Sequence, residues 1–244
     1  MHEWIGGRQP VYEVLRAGRR ECYRLFVAEG VQEKGRILDI FRLCHEKQLP
    51  IEKQPRHRLE GRVQNNQGVI LESSEYPYVD LQDILQWSEK QNETPFILIL
   101  DTLQDPQNLG TLLRTAEAVG VHGVVIPLRH TATITPAVVH ASSGASEHLL
   151  ICQNNCAQAI SYLKENDIWI IGLENLPEAN DPQKINLKGK IALVVGSEGE
   201  GMRQLVRNSC DVLMRIPLKG KIESLNAAVA GSIALYLISQ ARSQ

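Results

Sequence analysis

Residues 191–201, Ile191-Ala-Leu-Val-Val-Gly-Ser-Glu-Gly-Glu-Gly201, join a short apolar run directly to a turn that contains three glycines. Five apolar residues in a row, bounded by a turn signal, predict a strand that is buried on both faces. A run with helical spacing, residues 202–208, follows the turn. Strand, tight turn and helix in this order form the building unit of a parallel α/β sheet.

The same alternation extends outward from this stretch over the chain beyond residue 95. Strand-like runs occupy residues 96–100, 121–126, 149–152, 168–173, 191–195 and 213–216, and helical runs occupy residues 109–119, 136–141, 157–165, 202–208 and about 225–240. Such alternation predicts a parallel sheet that carries helices on both faces. We therefore expect one α/β domain over residues 95–244.

The first part of the chain is expected to form a smaller α/β unit over residues 1–73. Its predicted elements are a helix at residues 10–17, a strand at 23–28, a helix with apolar residues between 37 and 44, and a β-rich run at 68–72. Residues 74–94 are polar around one short amphipathic stretch, at Leu81, Ile84, Leu85 and Trp87. We interpret residues 74–94 as a linker with one docking helix.

Composition is that of a globular protein. Of the 244 residues, 43% are hydrophobic and 22% are charged, and 26 basic against 28 acidic residues give a net charge of −2. We expect no secretory signal, and no apolar run approaches the ~20 residues of a membrane span. Five cysteines without a C-x-x-C pair indicate reduced thiols of a cytoplasmic protein, and they make a metal site improbable.

Positive charge is concentrated in two clusters of the first unit. One contains Lys53, Arg56, His57, Arg58 and Arg62, and the other contains Arg16, Arg19, Arg20 and Arg24. A solvated surface and a phosphate-binding face are about equally compatible with such clusters.

Three loops that follow predicted strands are the places to look for a ligand site, because ligands of open parallel sheets bind beyond the carboxyl ends of the strands. The first loop runs from Asp101 to Arg114; Asn108 is expected to cap the helix that carries Arg114. The second is the glycine turn 196–201, which contains Glu198. Each of them alone also has a plain structural interpretation, as a cap or as a tight βα turn.

The third loop, residues 216–226, leads into the last helix. Ser224 and Asn226 are both residues that cap helices, and one helix needs only one cap, so the other polar group is available to a ligand. None of the seven histidines lies in the three loops, which argues against imidazole-based acid–base catalysis. The polar residues of the loops suit hydrogen bonds to hydroxyls and contacts to phosphate.

Together the three loops resemble the signature motifs of one protein family. The patterns D-x-x-x-D-P-x-N-x-G-x-x-x-R, G-x-E-G-x-G and I-P-L-x-G-x-x-x-S-L-N occur in this order between residues 101 and 226. They resemble the SpoU/TrmH family of RNA ribose 2′-O-methyltransferases. The stretches 7–15 and 67–69 are similar to the amino-terminal substrate-binding domain of its ribosomal RNA branch, which includes the RlmB-type enzymes.

The resemblance implies a fold that the sequence pattern does not suggest. It implies a SPOUT-type parallel sheet whose carboxyl-terminal part forms a trefoil knot, preceded by a small amino-terminal α/β substrate-binding domain of a ribosomal-protein type. It also implies a homodimer that forms through the knot and the last helix, with RNA as the partner and no membrane.

The resemblance also implies S-adenosylmethionine as cofactor and assigns roles to ten residues. Gly196, Gly201, Ile216, Leu218 and Leu225 would line the cofactor pocket, and Asn108, Arg114, Glu198, Ser224 and Asn226 would form the catalytic set. Arg114 is either the base or a phosphate clamp, and we favour the clamp because a guanidinium is a poor proton acceptor. The sequence departs from the family pattern at Leu218, at residues 227–229 and at Asn66, where His is frequent.

The function expected from this resemblance is methyl transfer to a ribose 2′-hydroxyl, most readily of a guanosine in large-subunit (23S) ribosomal RNA. Two alternatives stay open at this point. One is a transfer RNA ribose methyltransferase, and the other is a non-catalytic RNA-binding or ribosome assembly factor with the same fold.

Overall fold

The helices and strands of the computed structural model fall into two units, and the structure describes residues 2–129, 131–197 and 199–243. The first unit contains the residues up to Pro77 together with Ile134–His148, and the second contains Tyr78–Thr133 and the residues from Leu149 onward. No helix in the described ranges is both long enough and apolar enough to cross a membrane.

The elements are numbered along the chain. They are β1 (His2–Gly6), α1 (Arg8–Ala17), β2 (Cys22–Ala28), α2 (Arg36–Glu46), β3 (Ile51–Gln54), α3 (Arg56–Glu60), β4 (Val69–Ser74), α4 (Leu81–Lys90), β5 (Phe96–Leu100), α5 (Pro106–Ala118), β6 (Gly123–Ile126), α6 (Pro136–Ala141), β7 (Leu150–Gln153), α7 (Cys156–Glu165), β8 (Trp169–Leu173), β9 (Ile191–Val195), α8 (Gln204–Asn208), β10 (Val212–Met214) and α9 (Ala227–Arg242).

The second unit is built on a parallel sheet, as the alternating pattern predicts. Its strand order is β10-β8-β9-β5-β6-β7 in the described part of the chain, and every neighbouring pair is parallel. The central strands β5 and β9 are buried along their whole length, since both faces of the sheet are covered. The predicted α/β fold class is therefore confirmed.

Two sets of helices cover this sheet. Apolar residues of α4, α7 and α8 pack in one core with Val194 and Ile170 of the sheet. On the other face, a Cβ atom added to Gly231 of α9 would meet Leu112 of α5 at 2.6 Å and Val195 of β9 at 3.3 Å. Because successive strand residues point to opposite faces, Val194 and Val195 face different helix layers. The small residues of α9 thus allow it to pack closely on α5 and on the sheet.

Helix α4 lies inside the segment that the sequence predicts to be a linker. Its Leu81, Ile84 and Leu85 are buried in the core shared with α7, so it is a docking helix of the second unit. A reciprocal pair of hydrogen bonds between Asp80 and Asp83 caps its first turn.

The first unit is a four-stranded mixed sheet with the order β1-β4-β2-β3. Strand β4 is antiparallel to β1 and to β2, and β2 is parallel to β3. The sequence analysis missed β1, β3 and α3. Strands β1 and β3 are edge strands with polar residues, and α3 is a single basic turn with one buried residue, Leu59, so none of them shows a clear apolar period.

Residues 134–148 pack with the first unit although they lie inside the predicted domain 95–244. A buried ion pair explains their position: Arg20 donates from Nε and Nη2 to the two carboxylate oxygens of Glu147 at 2.8 and 3.0 Å. The two side chains are 0% and 1% exposed. Arg20 also donates to Glu3 and to the carbonyl oxygen of Ser74, so its buried charge is fully compensated.

We predict that Arg20→Met lowers the free energy of unfolding by about 3–5 kcal/mol, because it leaves the buried carboxylate of Glu147 without its partner. Arg24→Met is the matched control, since Arg24 pairs with Glu52 on the surface and should cost less than about 1 kcal/mol. Urea unfolding measures both. Equal stabilities of the two variants would contradict the role of the buried pair.

Candidate functional site

A cleft of about 790 Å³ opens at the carboxyl ends of β8, β9 and β10. Its walls come from the loop after β8, the glycine turn after β9 and the loop between β10 and α9. The volume is in the range of small-molecule sites. The five residues predicted to line a cofactor pocket, Gly196, Gly201, Ile216, Leu218 and Leu225, all line this cleft.

The glycine turn folds back on itself at the edge of the cleft. Ser197 and Gly201 exchange backbone hydrogen bonds of 3.0 and 3.2 Å. A Cβ atom at Gly196 would lie 2.3 Å from the carbonyl carbon of Gly201, so only glycine fits there, and Gly201 has a positive φ of 69°. Close backbone approach therefore requires glycine at 196, and the positive φ favours it at 201. Glu198, the predicted carboxylate of the turn, lies outside the described residues.

Two carboxylates hold the carboxyl end of the glycine turn. The backbone N–H and the Nε–H of Arg203 each donate to Asp101 at 2.8 Å, and Asp101 is completely buried. The hydrogen bond to Asp101 raises the pKa of Arg203 above its ordinary value. On the other side, the backbone N–H of Met202 donates to Glu174 Oε1 at 2.7 Å. These contacts fix residues 202–203 between β5 and β8.

The sequence analysis gave no role to Asp101 and did not single out Glu174. Both directly follow a buried strand, β5 and β8, at the sheet edge where ligands bind. A polar residue directly after a buried strand is therefore the sequence feature from which both could have been predicted. Asn175, the next residue, donates from its side chain to the carbonyl oxygen of Glu223 at 2.6 Å and so joins two walls of the cleft.

Asn226 caps the last helix, as one of the two candidate caps should. Its Oδ1 accepts hydrogen bonds from the backbone N–H groups of Ala228 and Val229 at 2.9 and 3.2 Å. Its Nδ2 donates to Asn108 Oδ1 at 3.2 Å, which brings the first and third predicted loops together. Ser224 is exposed and lines the cleft.

The prediction that Asn108 caps α5 is wrong. The helix begins at Pro106, and the side chain of Asp105 accepts a hydrogen bond from the backbone N–H of Gln107 at 3.0 Å. Asp followed by Pro is a strong start signal, because the proline has no N–H to satisfy at the first helical position. Asn108 lies in the first turn of the helix, and its side chain contacts Asn226 instead.

Arg114 lies on α5, six residues beyond Asn108, and is exposed. It is not among the described residues that line the cleft. Ser224 and Asn226 therefore line the cleft, and Asn108 contacts Asn226. Arg114 lies further along the helix that begins at Pro106.

Three of the five cysteines, Cys44, Cys152 and Cys156, are buried, and Cys22 and Cys210 are partly buried. Burial raises the pKa of Cys44, Cys152, Cys156 and Cys210 to about 12, so these thiols stay protonated near neutral pH. Within the described ranges no group of three or more His, Cys, Asp or Glu side chains could hold a metal ion.

Comparison with known protein families gives two matches. The model of the SpoU rRNA Methylase family matches residues 95–236, which include the whole cleft. A second model, described as RNA 2′-O ribose methyltransferase substrate binding, matches residues 4–79.

Relatives with a similar sequence cover nearly the whole chain. A Bacillus subtilis protein named TrmH family tRNA/rRNA methyltransferase YacO is 38% identical over 243 residues, 99% of this chain and 96% of the relative. A Staphylococcus aureus protein of the same family name is 36% identical over 240 residues, 98% of this chain and 96% of the relative.

Solved structures share the fold. The SpoU methyltransferase AviRb from Streptomyces viridochromogenes, in complex with the cofactor AdoMet, superposes with a TM-score of 0.80 at 20% identity, covering 98% of this chain and 90% of AviRb. An AdoMet-bound rRNA methyltransferase from Sinorhizobium meliloti superposes with a TM-score of 0.80 at 23% identity, covering 98% of this chain and 87% of that protein.

We predict that Gly196→Ala lowers the free energy of unfolding by about 1–3 kcal/mol, because the new methyl group collides with the backbone of residues 201–202. Gly220→Ala is the matched control: Gly220 lies in the loop between β10 and α9, its φ is not positive, and an added Cβ meets nothing within 4 Å. Thermal unfolding of both variants tests this. Equal melting temperatures would show that the turn can move away.

Proposed function

Because this chain belongs to the SpoU/TrmH family of RNA methyltransferases, whose methyl donor is S-adenosylmethionine, we propose that it methylates a ribose 2′-hydroxyl of RNA in the cytoplasm. The substrate we favour is a guanosine of large-subunit ribosomal RNA. The observation that carries the proposal is the cleft itself, which residues of the second and third sequence motifs line and whose Asn226 contacts Asn108 of the first motif.

The residues of the cleft suit S-adenosylmethionine, which supplies a methyl group on a positively charged sulfur when it is bound. Gly196 and Gly201 leave the backbone open to close approach, and Ile216, Leu218 and Leu225 offer apolar surface to an adenine. Glu174 uses Oε1 for the turn and keeps further acceptor sites for a ribose hydroxyl of the cofactor.

The polar residues at the rim are proposed to hold the ribose of the RNA. Asn226 and Asn108 are fixed by their mutual hydrogen bond, and Ser224 lines the cleft beside them. Methyl transfer needs the acceptor oxygen in line with the donor, which such fixed groups provide. Glu198 completes the proposed set by its place in the second motif.

Arg114 is proposed to bind the phosphate next to the reacting ribose. A guanidinium stays protonated at neutral pH and is therefore a poor general base, but its charge near the ribose lowers the pKa of the 2′-hydroxyl. In this role Arg114 activates the nucleophile without accepting its proton, and the proton passes to solvent water as the oxygen takes the methyl group from the sulfonium.

The first unit is proposed to select the RNA. The substrate-binding family model that matches residues 4–79 supports this division of labour. The description of the family model that matches residues 95–236, an rRNA methylase, supports ribosomal RNA. Asn66, which departs from the family pattern, is 3% exposed, accepts from the N–H of Gly68 and donates to the carbonyl oxygen of Val63. Both ends of its amide stabilise a turn, so we give it no part in choosing the nucleotide.

We predict that the protein transfers label from methyl-labelled S-adenosylmethionine to unmodified large-subunit ribosomal RNA, and that nuclease digestion recovers the label on a 2′-O-methylguanosine. Arg114→Ala should reduce the transfer rate at least about a hundredfold, because it removes the charge that stabilises the developing alkoxide. Arg114→Lys, which keeps a charge but not the planar fork, should retain part of the rate.

Three outcomes would contradict this proposal. Label in bulk transfer RNA but not in ribosomal RNA would identify a transfer RNA methyltransferase. RNA binding without any transfer would identify a non-catalytic assembly factor. Full activity of Arg114→Ala would remove Arg114 from the mechanism.

A homodimer through the last helix is the second proposal, and the trefoil knot implied by the resemblance stays a prediction. One face of α9 packs inside the unit, but Val229, Ile233 and Tyr236 form an apolar stripe on the other face and are 46%, 37% and 56% exposed. Apolar residues in such a row on a surface favour a protein interface.

We predict that light scattering gives twice the mass of the 27.3 kDa chain, and that Tyr236→Glu gives the mass of one chain because it charges the stripe. Tyr23→Glu, which introduces the same charge at a half-buried tyrosine of β2 in the first unit, is the control and should remain dimeric. A wild-type mass near that of one chain would contradict the dimer.

A further inference from the structure

The structure separates the two basic clusters of the first unit, which the sequence analysis could not distinguish. Arg20 is buried between Glu147 and Glu3, and Arg19 donates to the hydroxyl of Tyr76 and to the carbonyl oxygen of Pro77. The outer members of this cluster are paired as well, Arg16 with Glu13 and Arg24 with Glu52. All four arginines of this cluster therefore already contact partners within the chain.

The other basic cluster, on and around α3, has charged side chains that are mostly not paired with carboxylates. Arg56, His57 and Arg58 are exposed, and within the described ranges their side chains make no ion pair or hydrogen bond. Residues 53–62 hold four Lys or Arg against one carboxylate, Glu60. Lys53 is partly offset by Glu33 at 3.3 Å. The remaining positive charge suits a polyanion.

Helix α3, which carries Arg56, His57 and Arg58, is held in place by its one buried residue. Leu59 is fully buried in a small core with Phe26 and Ile70, and this packing opposes rotation of the short helix about its axis. The other residues of α3 therefore point away from that core. A cation whose backbone is already fixed loses less entropy on binding a phosphate than one on a mobile loop.

Arg62 adds a flat surface at the end of the cluster. Its guanidinium lies over the rings of Trp4 and Phe26, 4.7 Å from each centroid, while the side chain is exposed. The rings hold the guanidinium group in place. Arg62 makes no ion pair within the described ranges, although its charge helps to lower the pKa of Glu52, which is itself paired with Arg24. A guanidinium plane is a surface on which an unpaired RNA base can stack.

From these observations we propose that Lys53, Arg56, His57, Arg58 and Arg62, here called the α3 face, bind a single-stranded segment of the RNA substrate. Arg56 and Arg58 contact phosphates, and Arg62 stacks on an unpaired base. The inference rests on the proposed function for the identity of the polyanion. An acidic protein would satisfy the charges but would make no use of the stacked guanidinium, so we favour RNA.

The test compares two double variants that remove the same charge. Arg56→Gln/Arg58→Gln neutralises the α3 face, and Arg16→Gln/Arg42→Gln removes two exposed but ion-paired arginines from α1 and α2 of the same unit. Binding of each variant to an unmodified large-subunit RNA fragment is measured over a series of salt concentrations. Cofactor titration and thermal unfolding of each variant verify that the second unit and the fold are intact.

We expect the α3-face variant to bind RNA at least about tenfold more weakly at low salt. The slope of log affinity against log salt should fall by about 1.4, the value for two phosphate contacts to a single strand. The control variant should stay within about twofold of the wild type with an unchanged slope. Arg62→Lys should weaken binding about fivefold or more at an unchanged slope, because it keeps the charge and loses the stacking plane.

Unchanged RNA affinity and slope in Arg56→Gln/Arg58→Gln would overturn the inference and leave the α3 face to a protein partner. Equal losses in the two double variants would also overturn it, because they would show a general charge effect. A wild-type protein that binds RNA but transfers no methyl group would refute the proposed function and leave this inference standing.

Discussion

The candidate site depends on one buried carboxylate. Asp101, at the end of β5, accepts the backbone N–H and the side chain of Arg203 and so ties the glycine turn to the neighbouring strand. Glu174 secures the same segment from the other side through Met202. With both contacts the turn stays folded against Gly196 and forms one wall of the cleft. A buried acceptor that receives charge-assisted hydrogen bonds is costly to leave unsatisfied, so these contacts favour the folded position of the turn.

Sequence patterns predict the parts of this fold that bury a regular apolar period. Strands β5 and β9 begin and end where their apolar runs do, because both faces of a central strand are covered. Strands β1 and β3 lie at sheet edges with polar residues, and no period distinguishes them from loops. Helix α6 was predicted at its observed residues, yet its periodicity could not reveal which core it joins; the contact of Glu147 with Arg20 decides that.

The site shows the same division between local and tertiary signals. Glycine spacing predicts the lining residues 196 and 201, because glycine is required wherever backbones approach closely. The preference of asparagine for the capping position at the start of helices correctly predicts Asn226 as the cap of α9. The same preference gives the wrong cap for α5, because Asp105 and Pro106 form a stronger local signal than Asn108. The position of Glu174 directly after a strand is a signal in the sequence, but the pairing that compensates Arg20 is not, because Arg20 and Glu147 are separated by 127 residues. The sequence alone therefore does not show which cations are unpaired and accessible to RNA; only the folded chain does.

The most direct measurement is a calorimetric titration of S-adenosylmethionine into the Asp101→Asn variant beside the wild type. Asparagine keeps the volume of the side chain but loses the charge that binds Arg203, so the glycine turn loses its anchor. We expect the affinity to fall about ten- to a hundredfold, the range for hydrogen bonds to a charged group, while the far-ultraviolet circular dichroism stays that of the wild type. Wild-type affinity in Asp101→Asn would show that the cleft forms without this anchor and would contradict the central claim.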